Sequence, residues 1–135
     1  DMQTRMGTNY EVARDYFDAL EAGDMKKLAS IFADGIIWHQ PGSGSLSGTY
    51  RGSDKVFLLL KQFMDKSSGS FRIDEVRAIM ENGDLVSAVL HFSAKRQGAS
   101  MSMPGIDVMR IESGRIAEMW LFSSDQEAED RFLSK

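Results

Sequence analysis

Hydrophobic positions fall into two rhythms along this chain. Val12, Ala13, Tyr16, Phe17 and Leu20 recur at three- and four-residue spacing, the mark of a helix with one buried stripe. Thr8 or Asn9 ahead of them and Gly23 behind supply a cap and a stop, so the spacing predicts a helix through Ala22 with Tyr16 on its buried side. Asp24 caps a second, shorter helix whose apolar side is Met25, Leu28, Ala29 and Phe32, ending at Asp34-Gly35. Ile36 to Gln40 reads as a hydrophobic strand that breaks into a Pro/Gly/Ser loop. Ser53 or Asp54 then caps a third helix with Val56, Phe57, Leu60, Phe63 and Met64 as its stripe.

From Phe71 the rhythm changes to alternation. Phe71 to Met80, Leu85 to Lys95, Ser100 to Glu112 and Arg115 to Phe122 read as four strands, and the separators Asn82-Gly83, Gln97-Gly98 and Ser113-Gly114 suit antiparallel hairpins. Ser124 with Glu127 has the form of a capping box and opens a short last helix, Gln126 to Leu133. Helices gathered on one side of an antiparallel sheet give an α+β layout, and a strongly curved sheet leaves a conical cavity beneath them. Pro104-Gly105, inside the third strand of the meander, is a candidate for the break that curvature needs.

Composition narrows the function classes. The 135 residues fit one domain, 1–135, with a flexible start over residues 1–7. A net charge of −4 removes the basic footprint of a nucleic-acid binder and disfavours an anionic membrane. With no cysteine there is no disulfide, thiolate nucleophile or Cys-based zinc site, and a cytoplasmic setting is expected. No run approaches the roughly 18 apolar residues of a membrane helix. The two histidines, His39 and His91, show no close ligand spacing, so neither metal nor cofactor is expected. Nine methionines suit an adaptable apolar lining as well as ordinary core filling.

Strand parity singles out one acid. Met101, Met103, Met109 and Ile111 form one apolar face of their strand, and Asp107 shares it. Desolvation among methionines raises a carboxyl's pKa and can keep it protonated as a hydrogen-bond donor; pairing with a buried Arg, or a bulge after Gly105, would make it structural. Tyr16 is either a donor into the cavity or a core tyrosine bonded to backbone. His39 is either a general acid or base or a strand-end histidine bonded to the loop. His91 shares its strand face with Ser87 and Ser93 and is expected to face outward.

The strings YFDALEAGDMKKLASIFAD at 16–34, WHQPGSGSLSGTYRGSDKV at 38–56 and GRIAEMWLFSSDQ at 114–126 resemble SnoaL-like proteins and ketosteroid isomerases of the NTF2-like superfamily. That resemblance implies a cone built from a curved sheet and covering helices, commonly paired as a homodimer through the sheet. It also implies an oxyanion hole from Tyr16 and Asp107, which match the first-helix Tyr and strand Asp of ketosteroid isomerases. Their catalytic base stands where this chain has Gln40, and an amide cannot take a proton. His39 is the substitute, given a bulge or twist before Pro41. The expected ligand is a small apolar or carbonyl-containing molecule, ketone- or polyketide-like, held by Trp38, Gln40, Phe57, Met101, Met103, Met109 and Trp120. The alternative is a non-catalytic ligand-binding or dimeric interaction module.

Overall fold

The computed structural model describes residues 8–134; the expected flexible start at 1–7 lies outside them. In chain order the elements are α1 (Asn9–Ala22), α2 (Met25–Ile31), β1 (Phe32–Gln40), β2 (Gly48–Arg51), α3 (Ser53–Lys66), β3 (Arg72–Asn82), β4 (Leu85–Arg96), β5 (Ala99–Glu112), β6 (Arg115–Ser123) and α4 (Gln126–Leu133). The strands form one curved sheet, not closed into a barrel, in the order β2-β1-β6-β5-β4-β3.

Local chemistry accounts for the helix ends. The Thr8 side chain accepts from the Glu11 N–H at 3.3 Å, and Gly23 takes the left-handed conformation, φ 65°, that stops α1. Asp24 caps α2 by accepting from Lys27 N–H at 3.0 Å. The last helix is capped by Asp125, which accepts from Ala128 N–H at 3.1 Å, rather than by Ser124.

Beyond that cap, the placement and pairing of elements differ from the sequence reading in three ways. First, α2 ends at Ile31 and the chain is already extended at Phe32, so Asp34-Gly35 lies inside a strand. The register of β1 against β6 shifts between Phe32 and Ile37, and this irregularity accommodates the polar pair. Second, the loop after Pro41 contains a short strand, β2, paired with β1 from Ile37↔Arg51 to Gln40↔Gly48. Third, β1 runs parallel to β6, which makes the sheet mixed; every other pair is antiparallel.

Pro104-Gly105 is not a break. The β4–β5 ladder is continuous from Leu85↔Arg110 to Arg96↔Ala99, and the irregularities fall instead in the β1–β6, β3–β4 and β5–β6 pairs. Gly105 answers a packing need: a Cβ there would lie 2.8 Å from the Phe122 carbonyl oxygen and 3.0 Å from the Phe92 ring.

The core lies between the helices and one sheet face. Its largest buried side chains include Trp38, Tyr16, Phe32, Leu28 and Ile36. Phe32 is the hub of an aromatic cluster, with Tyr16, Trp38 and Phe57 at ring-centroid distances of 6.0, 6.5 and 5.4 Å.

Candidate functional site

Between the helices and the inner face of the sheet lies a cavity of about 1080 Å³, slightly above the usual size for a small-molecule site. α1 contributes Tyr16 and Phe17, β1 Trp38 and Gln40, β5 Met101 and Asp107, and α4 Glu129. Phe63, Phe71, Leu90 and Phe92 add apolar wall.

Unbroken alternation in β5 aims Asp107 inward. Met101, Met103, Gly105, Asp107, Met109 and Ile111 are all buried, while Ser102, Pro104 and Ile106 are exposed. Neither a bulge nor an arginine claims Asp107: its ladder partners are Ala88 and Leu121, and no ion pair reaches it among the described residues. Burial pushes its carboxyl up to about 7, with the nearby Glu129 carboxyl adding to the effect. At neutral pH it divides between acid and base.

Tyr16 is 2% exposed. Burial, and secondarily the charge of Asp107, hold its phenol well above the ordinary tyrosine range, so the hydroxyl remains a donor throughout the neutral range. Gln40 is fixed by Trp38, whose indole N–H donates to Gln40 Oε1 at 3.1 Å. With its oxygen engaged, the amide turns its NH₂ outward as donor.

Among the described residues, the Tyr16 hydroxyl, the Asp107 carboxyl and the Gln40 NH₂ have no hydrogen-bond partner. Yet no side-chain polar atom is sealed from solvent without a partner. All three groups therefore open onto the cavity, and a ligand there meets two fixed donors and one carboxyl poised near neutrality.

His39 is not among them. The β1 register is regular from Ile37 to Gln40 against β2 and from Ile37 to His39 against β6, so His39 and Gln40 point to opposite faces, and the bulge that would bring His39 round lies too far upstream, between Phe32 and Ile37. On the outer face its ring stacks on Trp120, with centroids 5.5 Å apart and planes 15° apart, and its Nε2 lies 2.6 Å from Glu118 Oε2. Trp120 is therefore on the outer face too. Phe57, Met103 and Met109 do not line the cavity either: Phe57 packs behind Phe32, and the two methionines lie in the core. Of the ten residues singled out in the sequence, Tyr16, Trp38, Gln40, Met101 and Asp107 come together at the cavity.

Glu129 was not anticipated. It is 6% exposed, and its Oε1 accepts from Ser123 Oγ at 2.8 Å and Gln126 Nε2 at 2.9 Å. Burial pushes its carboxyl up despite these two bonds. The signal available in the sequence is its spacing: Glu129, Phe132 and Leu133 share the buried side of α4. Gln126 also donates to Asp130, and Asp130 accepts from Ser43 N–H at 2.9 Å, so α4 is clamped to the loop after Pro41.

Among the described residues, no group of three or more His, Cys, Asp or Glu side chains is placed to hold a metal ion. No helix there is long and apolar enough to cross a membrane.

A SnoaL-like domain profile matches residues 13–119. A protein of unknown function with a cystatin-like fold from Xanthomonas campestris is 39% identical, with a TM-score of 0.91 over 95% of this chain and 99% of that one. An NTF2-like protein of unknown function from Burkholderia pseudomallei superimposes with a TM-score of 0.81 at 19% identity, covering 95% of this chain and 99% of its own. IdmH, a putative polyketide cyclase from Streptomyces antibioticus, has a TM-score of 0.73 at 20% identity, covering 87% and 93% of the two chains; at such identities the likeness concerns the fold. No functionally curated protein is similar enough to match.

Proposed function

Because the chain belongs to the SnoaL-like family within the NTF2-like fold, we propose that its cavity binds a ketone- or polyketide-like molecule and moves a proton next to the carbonyl, without a cofactor. The observation that carries this reading is the set of unpartnered polar groups, Tyr16 hydroxyl, Gln40 NH₂ and Asp107 carboxyl, opening onto one largely apolar cavity. The fold shared with IdmH, described as a putative polyketide cyclase, supports the same substrate class.

In this mechanism the substrate carbonyl oxygen accepts from Tyr16 and Gln40. The Asp107 carboxylate takes the α-proton, the C–H electron pair becomes the enolate, and the two donors hold the developing oxyanion. Asp107, now a carboxylic acid, returns the proton to another carbon in an isomerisation. In a cyclisation it returns it to the alkoxide formed when the enolate carbon attacks a second carbonyl. A carboxyl near 7 suits both halves of the cycle, since a proton carrier works best with its pKa near the working pH.

Asp107→Asn tests this. The amide keeps the shape and hydrogen bonding but cannot take a proton. Turnover of an accepted ketone should fall by about 10²–10⁴, while 2-naphthol, a flat phenol imitating an enolate, still binds. Wild-type turnover by this variant would sink the proposal.

Gln40 favours a second reading. With an amide where ketosteroid isomerases hold their base, the cavity would act as a binding module for an apolar carbonyl compound. In that case 2-naphthol binds and no ketone is converted.

The chain also fits a homodimer through the outer sheet face. Phe122, Ile106, Val89 and Ala78 form one ladder row across four strands, and Trp120, Val108, Ser87 and Met80 form the next. Phe122 is 57% exposed and Met80 54%. A largely apolar surface of this kind suits an interaction with another chain, and a second copy offers the same rows.

A further inference from the structure

We propose that Glu129 is a positioning residue for Asp107: the two buried carboxyls form a pair that holds one proton between them, and this restricts the cavity to ligands without a carboxylate. The inference rests on Asp107 being the cavity's proton carrier and adds the residue that sets its state.

Asp107 and Glu129 come from different elements, β5 and α4, yet both are 6% exposed and both line the same cavity. The link between them is Ser123. It pairs with Gly105, two residues before Asp107 on the same inner face of β5, and its hydroxyl donates to Glu129 Oε1. Gln126 holds the same oxygen. Glu129 Oε2 has no partner among the described residues and opens onto the cavity by the same reasoning as Asp107.

Among the described residues, no cation is ion-paired to either carboxyl. Facing Asp107, α1 supplies the Tyr16 hydroxyl, β1 the neutral Gln40, and the flanking strands Ala88 and Leu121. Facing Glu129, α4's own Gln126 and β6's Ser123 are neutral; Asp130 adds a negative charge. The cations that touch the cavity are Arg14, Arg72 and Lys95. Arg14 lies 3.7 Å from Asp18 and Arg72 3.1 Å from Asp74, while Lys95 is exposed near the end of β4. Glu21 and Glu75 add further negative charge to the lining.

Two buried carboxyls lining one cavity, with no cation paired to either, do not both ionise readily, so the protons leave in two steps that belong to the pair. Glu129, stabilised as an anion by two hydrogen bonds, is the member that releases first; its charge then keeps the proton on Asp107. A ligand carboxylate beside them would add a third negative charge to the same cavity, whereas a neutral ketone would not.

The test is carboxyl ¹³C NMR of full-length protein labelled in its Asp and Glu side chains, titrated across the acidic and neutral range. In the wild type Asp107 should follow a two-step curve; in Glu129→Gln it should follow one step at lower pH. An unchanged Asp107 curve in folded Glu129→Gln overturns the pair. Should that variant fail to fold, Ser123→Ala keeps both carboxyls but removes one bond from Glu129. The Glu129 step should then move up and the Asp107 step down, and curves superimposable on the wild type overturn the pair. Binding gives a second readout: wild type should prefer 2-naphthol to 2-naphthoate, and Glu129→Gln should narrow that ratio, a constant ratio counting against the ligand restriction. These outcomes separate from those of the proposed reaction. Shifted titration with no ketone turnover leaves the pair standing and removes the reaction; unchanged titration with turnover lost in Asp107→Asn does the reverse.

Discussion

The indole of Trp38 donates to the side-chain oxygen of Gln40, two residues further along the same strand and on the same face, at 3.1 Å. Both residues are buried, Trp38 at 2% and Gln40 at 6% exposure. The bond satisfies the indole N–H and decides which end of the amide meets the cavity. Gln40→Leu leaves that N–H without its acceptor, and a buried donor without a partner costs about 1–3 kcal/mol. We expect the variant's urea midpoint to fall accordingly, with an unchanged m-value. Equal midpoints for Gln40→Leu and wild type would show that the bond contributes nothing.

Asp107 links stability to pH. Its carboxyl is raised from 3.8 to about 7 in the folded chain, so between these values the folded state keeps a proton that the unfolded chain has released. Stability from this group is therefore full below the lower value and is lost as pH rises toward the upper one. The shift corresponds to roughly 4 kcal/mol across the window. Asp107→Asn has no proton to lose, and subtracting its urea-derived stability from that of the wild type isolates the effect. The variant should gain on the wild type steadily from about pH 4 to pH 7 and no further above it; parallel curves would refute the burial argument.

Much of this architecture is legible in the residues, and the parts that are not trace to pairing between distant strands or to misleading local signals. Asp107 could be placed because β5 is long and its alternation unbroken, and Tyr16 because one helical stripe runs from Val12 to Leu20. The direction of His39 could not be read, since it depends on whether β1 breaks before or after it. The break sits at Asp34-Gly35, a pair that reads locally as a turn. β2, with the string GTYR, carries no alternating signal, and the parallel β1–β6 pairing joins residues some eighty positions apart. Glu129 was obscured by Glu127, whose spacing from Ser124 imitates a capping box although Asp125 is the cap. Local pattern specifies elements and faces; register across distant strands specifies the site.

The outer sheet face supports a prediction about assembly. Phe122 and Ile106 are ladder partners, 57% and 40% exposed, at the β6 end of one apolar row. Phe122→Glu places a charge on that surface without entering the core. Light scattering coupled to size exclusion should give a dimer for the wild type and a monomer for the variant, with circular dichroism unchanged. A wild-type monomer, or a variant that remains dimeric, would remove the sheet face as the contact.

His39 provides the converse of the cavity predictions. It lies on the opposite face of β1 from Gln40, stacked on Trp120 and bonded to Glu118. Glu118 also meets Arg110 at 3.3 Å, and its carboxyl is held below the usual glutamate range, first by the His39 hydrogen bond and then, against a smaller effect of burial, by Arg110. Removing His39 thus strips a partner from a half-exposed ion network, where such pairs contribute up to about 1 kcal/mol. His39→Ala should bind 2-naphthol with wild-type affinity and turn over any accepted ketone at the wild-type rate, whereas Tyr16→Phe should weaken both. It should still disturb the outer face, by removing the ring that stacks on Trp120 where the second copy is expected to dock. A dimer that dissociates more readily in His39→Ala, with binding per chain unchanged, is the outcome consistent with its position. Loss of cavity binding while the dimer stays intact would require His39 to reach through the sheet, against the regular register of residues 37–40.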